Sequence, residues 1–390
     1  MLEEKTIYLD YQASTPLAPS ALEKMVPFLQ STHANPHSND HIEGWKANKA
    51  IENARSKVAQ AIKADSDEIV FTSGATEANN FAIKGVAQHL KKVGKTKIIT
   101  SSIEHKCVLE CFEHLKNNDG FETVYLPSNS DGIIEPDQLN KAIDETVGLV
   151  SIMFVNNEIG TVQPIEELAN IAHKHGAIFH TDAAQAPIFL DIDVKVLGAD
   201  IISFSSHKIY GPKGIGAAFV NRDIKQMLTP LIHGGGQEDG LRSGTLPTML
   251  CVGFGEAFDY IALSRENNHQ ILKKLSMKFL KELKTKVPNI EINGTTENRH
   301  PGNLNIRFPG VKAQDFLQTM QPHICASTGS ACNSGIEAPS YVLNEIGLCV
   351  EAAAESVRFS FGIDQSESII KEAANFIAQK YLGFEKEVAA

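Results

Sequence analysis

Apolar and β-branched residues come in short, nearly unbroken runs through the first two-thirds of the chain, and amphipathic stretches separate them. The runs at 68–73, 96–101, 123–127, 149–155, 177–182 and 201–206 predict strands. Continuous apolar character, in place of alternation, marks strands covered on both faces. Helical periodicity from Glu166 to His175 directly precedes the strand at Ala177. Strand–helix–strand order repeated in this way predicts a mostly parallel sheet with helices on both sides. From about Glu266 the pattern changes to a charged amphipathic helix at 271–286, strands near Ile290 and at 304–308, a stretch of small residues at 327–335, and a closing helix at 366–381. This part reads as a smaller α+β domain, joined by the N-terminal segment.

Composition narrows the function classes. A chain of 390 residues exceeds what one hydrophobic core usually supports, so two domains are expected. The net charge is −11 and no Lys/Arg block stands out, which disfavours a direct nucleic-acid or membrane surface. No apolar run approaches the roughly 18 residues of a membrane span. The start, Met1 to Lys5, lacks the basic-then-apolar pattern of a secretory signal. Six scattered cysteines (107, 111, 251, 325, 332, 349) predict free thiols in a reducing cytoplasm, not a disulfide framework.

The candidate chemistry lies at strand ends, where open α/β sheets gather their ligands. Ser73-Gly74-Ala75-Thr76-Glu77 runs from a strand into a helix, so Ala75 and Thr76 would offer backbone N–H groups to a phosphate. A plain helix cap explains the same residues. Asp182 follows an apolar strand, where an unpaired carboxylate is costly; it suits either a helix cap or a partner for a protonated ring nitrogen. Lys208 directly follows a strand, beside serine and histidine and ahead of Gly211-Pro212-Lys213-Gly214. A lone lysine favours a solvated surface. Phosphate donors, an aspartate and a lysine at three strand ends favour covalent cofactor attachment.

These segments resemble the NifS/IscS-type cysteine desulfurases, which are class V aminotransferase-type, fold-type-I pyridoxal-phosphate enzymes. The resemblance runs in order through Leu9-Asp10-Tyr11, Thr15-Pro16, Asn35-Pro36 with Ser38, 68–77, Glu104-His105-Lys106, 155–160, 182–185 and 203–216. It continues through 233–238, Arg242-Ser243-Gly244-Thr245, Gly329-Ser330-Ala331-Cys332, 339–343 and Arg358-Phe359-Ser360. It implies a large domain over 15–262 with a mostly parallel seven-stranded sheet. Residues 1–14 plus 263–390 would form a small α+β domain carrying the catalytic cysteine loop. It also implies a homodimer that moves sulfur from L-cysteine to an acceptor protein, in iron–sulfur assembly or in DNA or tRNA modification.

Carried over residue by residue, the resemblance gives Lys208 the covalent cofactor linkage and Asp182 the ring nitrogen. Gln185 and Asn157 would reach the ring hydroxyl side. Ala75, Thr76, Ser205 and His207 would hold the phosphate, with Thr245 added from the partner subunit. His105 would stack on the ring and move protons. Arg358, with Asn157 and Asn35, would clamp the substrate carboxylate, a task that suits a bidentate guanidinium.

Cys332 lies in Thr328-Gly329-Ser330-Ala331-Cys332-Asn333-Ser334-Gly335, a stretch with little to bury, which favours a nucleophile over a packing thiol. The resemblance makes it the sulfur acceptor on a mobile loop. Cys107 and Cys111, four apart, read as packing on one helix face, and Cys251, Cys325 and Cys349 as small buried hydrophobes. No glycine fingerprint supports a Rossmann oxidoreductase. His33, His37 and His41 fall four apart, but Asn35-Pro36 interrupts any helix that would make them metal ligands. An aminotransferase or selenocysteine lyase of the same fold is the alternative. Three departures from the family pattern stand out: Ser206 in place of a common glycine, Asp239 in place of a basic residue, and a C-terminus without the usual scaffold-docking tail.

Overall fold

The computed structural model describes residues 6–329 and 340–388. Among the described residues, twelve strands form three sheets. In chain order they are β1 (Ile7–Tyr8), β2 (Ile69–Thr72), β3 (Lys97–Ser101), β4 (Glu122–Leu126), β5 (Val147–Ser151), β6 (Ile178–Asp182), β7 (Ile201–Ser205), β8 (Gly216–Val220), β9 (Glu291–Ile292), β10 (Asn303–Arg307), β11 (Ile324–Cys325) and β12 (Ser356–Ser360). The large sheet has the order β2-β8-β7-β6-β5-β3-β4. All neighbours in it are parallel except β8, which runs antiparallel to both β2 and β7. The six predicted strands are six of these seven. Every residue of β2 and of β5 to β8 is buried, which explains their lack of alternation.

Helices cover both faces of the sheet. Ala75–Lys92 and Lys106–Asp119 pack on one face around Phe81, Ile83, Phe112 and Leu115. On the other side Ile42–Ala61 and Thr248–Ala262 pack together, and the second is apolar enough to be buried almost all round. His41, one of the three histidines spaced by four, caps the first of these: its Nδ1 accepts from the Gly44 N–H at 3.1 Å.

The smaller unit is built on β10, flanked antiparallel by β12 and β9. The helices Arg265–Lys286 and Glu367–Val388 pack against each other, and Phe279, Phe308, Phe316, Phe359 and Tyr381 form an aromatic cluster with the sheet. The N-terminal segment belongs here too: β1 pairs parallel with β11, and Asp10 bridges to Ser360. One continuous apolar core joins the two units. Among the described residues no helix is long and apolar enough to cross a membrane.

Candidate active site

The carboxyl ends of β2, β3, β5, β6 and β7 face the smaller unit across a cavity of about 570 Å³. The large sheet contributes Ala75, Thr76, His105, Asn157, Asp182, Gln185, Ser205, His207 and Lys208 to its wall. The N-terminal segment adds Gln12, Ala13 and Ser14, and β12 adds Arg358. Parallel strands make this convergence unavoidable, because all their carboxyl ends share one edge of the sheet.

One end of the cavity is built for an anion. Ala75 and Thr76 open an 18-residue helix, so unpaired N–H groups and the positive end of the helix dipole point outward there. Gly74 precedes them at φ +153°, a backbone shape that side chains rarely adopt. It packs on Gly216 of β8: a Cβ on Gly216 would sit 2.7 Å from the Gly74 Cα. Burial, then the nearby charges of Lys208 and Lys213, push His207 down to about 4, so its imidazole is neutral. Its Nδ1 is buried with no partner among the described residues, the mark of a group awaiting a ligand.

The middle of the cavity holds an amine, a carboxylate and an imidazole. Lys208 Nζ donates to the backbone oxygens of Gln12 at 2.6 Å and Ala13 at 2.9 Å. Asp182 accepts from Asn79 Nδ2 at 2.7 Å and from the Ala184 N–H at 2.9 Å. Gln185 Nε2 donates to the Gln12 oxygen at 3.0 Å. His105 caps the helix Lys106–Asp119: its Nδ1 accepts from the Cys107 N–H at 3.2 Å and lies 3.0 Å from the Cys107 sulfur. Below the site, burial holds His180 near 3 and therefore neutral, bonded to the hydroxyls of Ser151 and Ser203.

At the other end Arg358, 4% exposed, donates from Nη2 to Asp10 at 2.6 Å and from Nη1 to the Asn157 oxygen at 2.9 Å. Its Nε is buried without a partner among the described residues. Gly329 lines the cavity; Cys332 lies outside the described residues.

Ten of the predicted site residues therefore share one cavity. Asn35 and Thr245 do not. Both are exposed, and the Asn35 side chain accepts from the His37 N–H of its own turn at 2.9 Å. Asp239 also lies away from the cavity, on a separate hollow with Arg55, Asp67 and Glu238. The reading of Cys349 as a small buried hydrophobe is overturned, because Cys349 is exposed, while Cys107 does pack against the helix–sheet core but has a second role. Cys111 is buried in the core behind the sheet, whereas Cys107, in the first turn beside the His105 cap, lines the cavity. Sequence reasoning also missed Gln12, Asn79 and Asp10, which hold Lys208, Asp182 and Arg358. The signal for Asn79 was a polar residue on the apolar stripe of Ala78, Phe81 and Ala82.

Backbone N–H groups at a helix N-terminus, a lysine, an aspartate and an unpartnered His207 Nδ1 around one cavity fit pyridoxal phosphate. The family model for class-V aminotransferases matches residues 7–372. The chain belongs to the class-V aminotransferase family. Enzymes of this family use pyridoxal phosphate. Within the family the chain is 44% identical over 374 residues to cysteine desulfurase IscS of Rickettsia rickettsii, covering 96% of this chain and 90% of the relative. Among solved structures, a NifS-like protein superposes with a TM-score of 0.90 at 33% identity, covering 97% of this chain and all of that one. SspA in complex with cysteine superposes with a TM-score of 0.80 at 42% identity, covering 91% of this chain and 99% of that one.

Proposed function

We propose that the chain is a pyridoxal-phosphate-dependent cysteine desulfurase that converts L-cysteine to L-alanine and carries the sulfur on Cys332 as a persulfide. The observation that carries this reading is the placement of Arg358 across one cavity from Lys208 and Asp182. A carboxylate clamp, an amine and a ring-nitrogen partner are together what an α-amino acid and this cofactor require.

Pyridoxal phosphate, when bound, supplies the electron sink that lets a substrate α-carbon lose its proton. Ala75, Thr76, Ser205 and His207 would hold the phosphate. Asp182 would keep the proton on the ring nitrogen, and Gln185 and Asn157 would orient the ring. Lys208 would be the attachment point, and its Nζ would move the α-proton. Arg358 binds the substrate carboxylate, with Asn157 beside it. The Cys332 thiolate attacks the substrate sulfur; the carbon–sulfur bond breaks, its electron pair returns to carbon, and a sulfur–sulfur bond forms on Cys332. His105 and Lys208 return protons to the carbon skeleton, and alanine leaves.

The same reading gives a large domain over 15–262, a small domain over 1–14 plus 263–390, and a homodimer in the cytoplasm. Thr245, exposed beside Gly244, completes the partner's phosphate site, and Leu231, Ile232 and Trp45 supply exposed apolar surface for the contact. The persulfide then passes to an acceptor protein of iron–sulfur assembly or of nucleic-acid sulfur modification.

Incubation with sulfur-labelled cysteine tests the reading, followed by peptide mapping under non-reducing conditions. Label on the Cys332 peptide, with alanine released in equal amount, is expected. Keto-acid product and no labelled peptide would make the enzyme an aminotransferase.

A further inference from the structure

Asn79 is fully buried, inside the helix whose N-terminus forms the anion cradle. Its amide nitrogen donates twice, to Asp182 Oδ2 at 2.7 Å and to the Cys107 sulfur at 3.1 Å. Asp182 settles which way the amide faces, because a carboxylate only accepts. Because the Cys107 backbone N–H donates to His105 Nδ1 at 3.2 Å, that nitrogen is an acceptor, and the Cys107 sulfur 3.0 Å from it meets it through the S–H. Two donors aimed at Nδ1 exclude a proton there. The hydrogen bonds at one ring nitrogen thus decide what the other carries.

We propose that Asn79 and Cys107 form a positioning bridge between Asp182 and His105, which fixes His105 as the tautomer protonated on Nε2. The bridge joins Asp182, assigned to the cofactor's ring nitrogen, to the His105 imidazole through direct contacts among four side chains. In this proposal Cys107 acts through His105, although its side chain also lines the cavity. It sets the angle of the imidazole and the nitrogen from which His105 gives a proton. An alanine at 107 would leave only the weaker backbone donor, and Asn79 would lose its second acceptor. Serine keeps both functions, since its hydroxyl donates and accepts.

The inference rests on His105 as a proton carrier, and the test separates the two. Histidine ¹⁵N spectra of the holoenzyme report the tautomer directly, with the His105 signal assigned by its loss in His105→Gln. The parent and Cys107→Ser are expected to show a proton on Nε2, and Cys107→Ala a mixture of both tautomers. In Cys107→Ala kcat is expected to fall roughly five- to tenfold, the size of one lost hydrogen bond, with KM within about twofold. Cys107→Ser should recover most of that loss. An unchanged tautomer in Cys107→Ala overturns the bridge, as does a Cys107→Ser variant as impaired as Cys107→Ala. A shifted tautomer with parental kcat upholds the bridge and removes His105 from the proposed proton transfer.

Discussion

Asp10 accepts a hydrogen bond from Arg358 Nη2 at 2.6 Å and thereby ties the N-terminal segment to β12 at the cavity wall. The pair is largely buried, with side-chain exposures of 4% for Arg358 and 17% for Asp10. A guanidinium held on one edge by a carboxylate and on another by the Asn157 oxygen has one orientation, and in the proposed reaction its remaining edge would meet the substrate carboxylate.

Asp10→Ala should therefore weaken substrate binding without touching the cofactor. KM for cysteine is expected to rise roughly tenfold, the cost of one charge-assisted hydrogen bond, while kcat changes little. Arg358→Lys, which loses the planar fork, should raise KM further. Steady-state kinetics with the two variants decide this; a KM unmoved in both would show that the carboxylate binds elsewhere.

Gly216→Ala should damage the anion cradle. The added Cβ would meet the Gly74 backbone and the Phe204 carbonyl, neither of which has a flexible side chain to swing aside. A loss of about 1–3 kcal/mol in stability is expected, together with weaker cofactor binding. Thermal melts and cofactor titration of the apoprotein measure both. Parental cofactor affinity would show that the Gly74 turn does not depend on this close approach.

Stability should peak in mildly acidic solution. Burial pushes Glu104 up to about 8 and Glu158 up to about 7, from an ordinary 4.5. Both carboxyls are protonated when folded and ionised when unfolded, so each loses stability as pH rises from 4.5 to its folded value. Burial holds His180 and His300 near 3, against an ordinary 6.5. These imidazoles take up protons on unfolding, so stability also falls as pH drops from 6.5 toward 3. The maximum lies between about 4.5 and 6.5. Glu104→Gln should flatten the alkaline side, where every tenfold difference in proton affinity between folded and unfolded chains is worth about 1.4 kcal/mol. Glutamine keeps an oxygen for the Ser101 hydroxyl and the Met153 N–H that Glu104 accepts. Melting temperatures of parent and variant from pH 4 to 9 that fall in parallel would refute this.

The large sheet could be read from sequence because most of its strands are buried on both faces and so carry unbroken β-branched runs, as in Ile98-Ile99 and Ile201-Ile202. The seventh strand, β8, could not be located: Gly216-Ala217-Ala218 has low strand propensity, and only its place between β2 and β7 makes it a strand. Lys208 and Asp182 could be found because each interrupts an apolar pattern at a strand end. Cys107 could not, since an i,i+4 cysteine pair on a helix suggests packing. Its reach into the cavity depends on the cap geometry of His105, which spacing alone does not encode.

In the proposed reaction Cys332 takes sulfur from a substrate held by Arg358 and activated through Lys208. The decisive measurement is alanine release from cysteine by Cys332→Ala, compared with the parent at equal cofactor content. Cysteine is expected still to change the absorption of the bound cofactor in the variant, because Lys208, Asp182 and Arg358 are intact, while alanine formation collapses. Alanine formed by Cys332→Ala at the parental rate would contradict the proposed sulfur transfer.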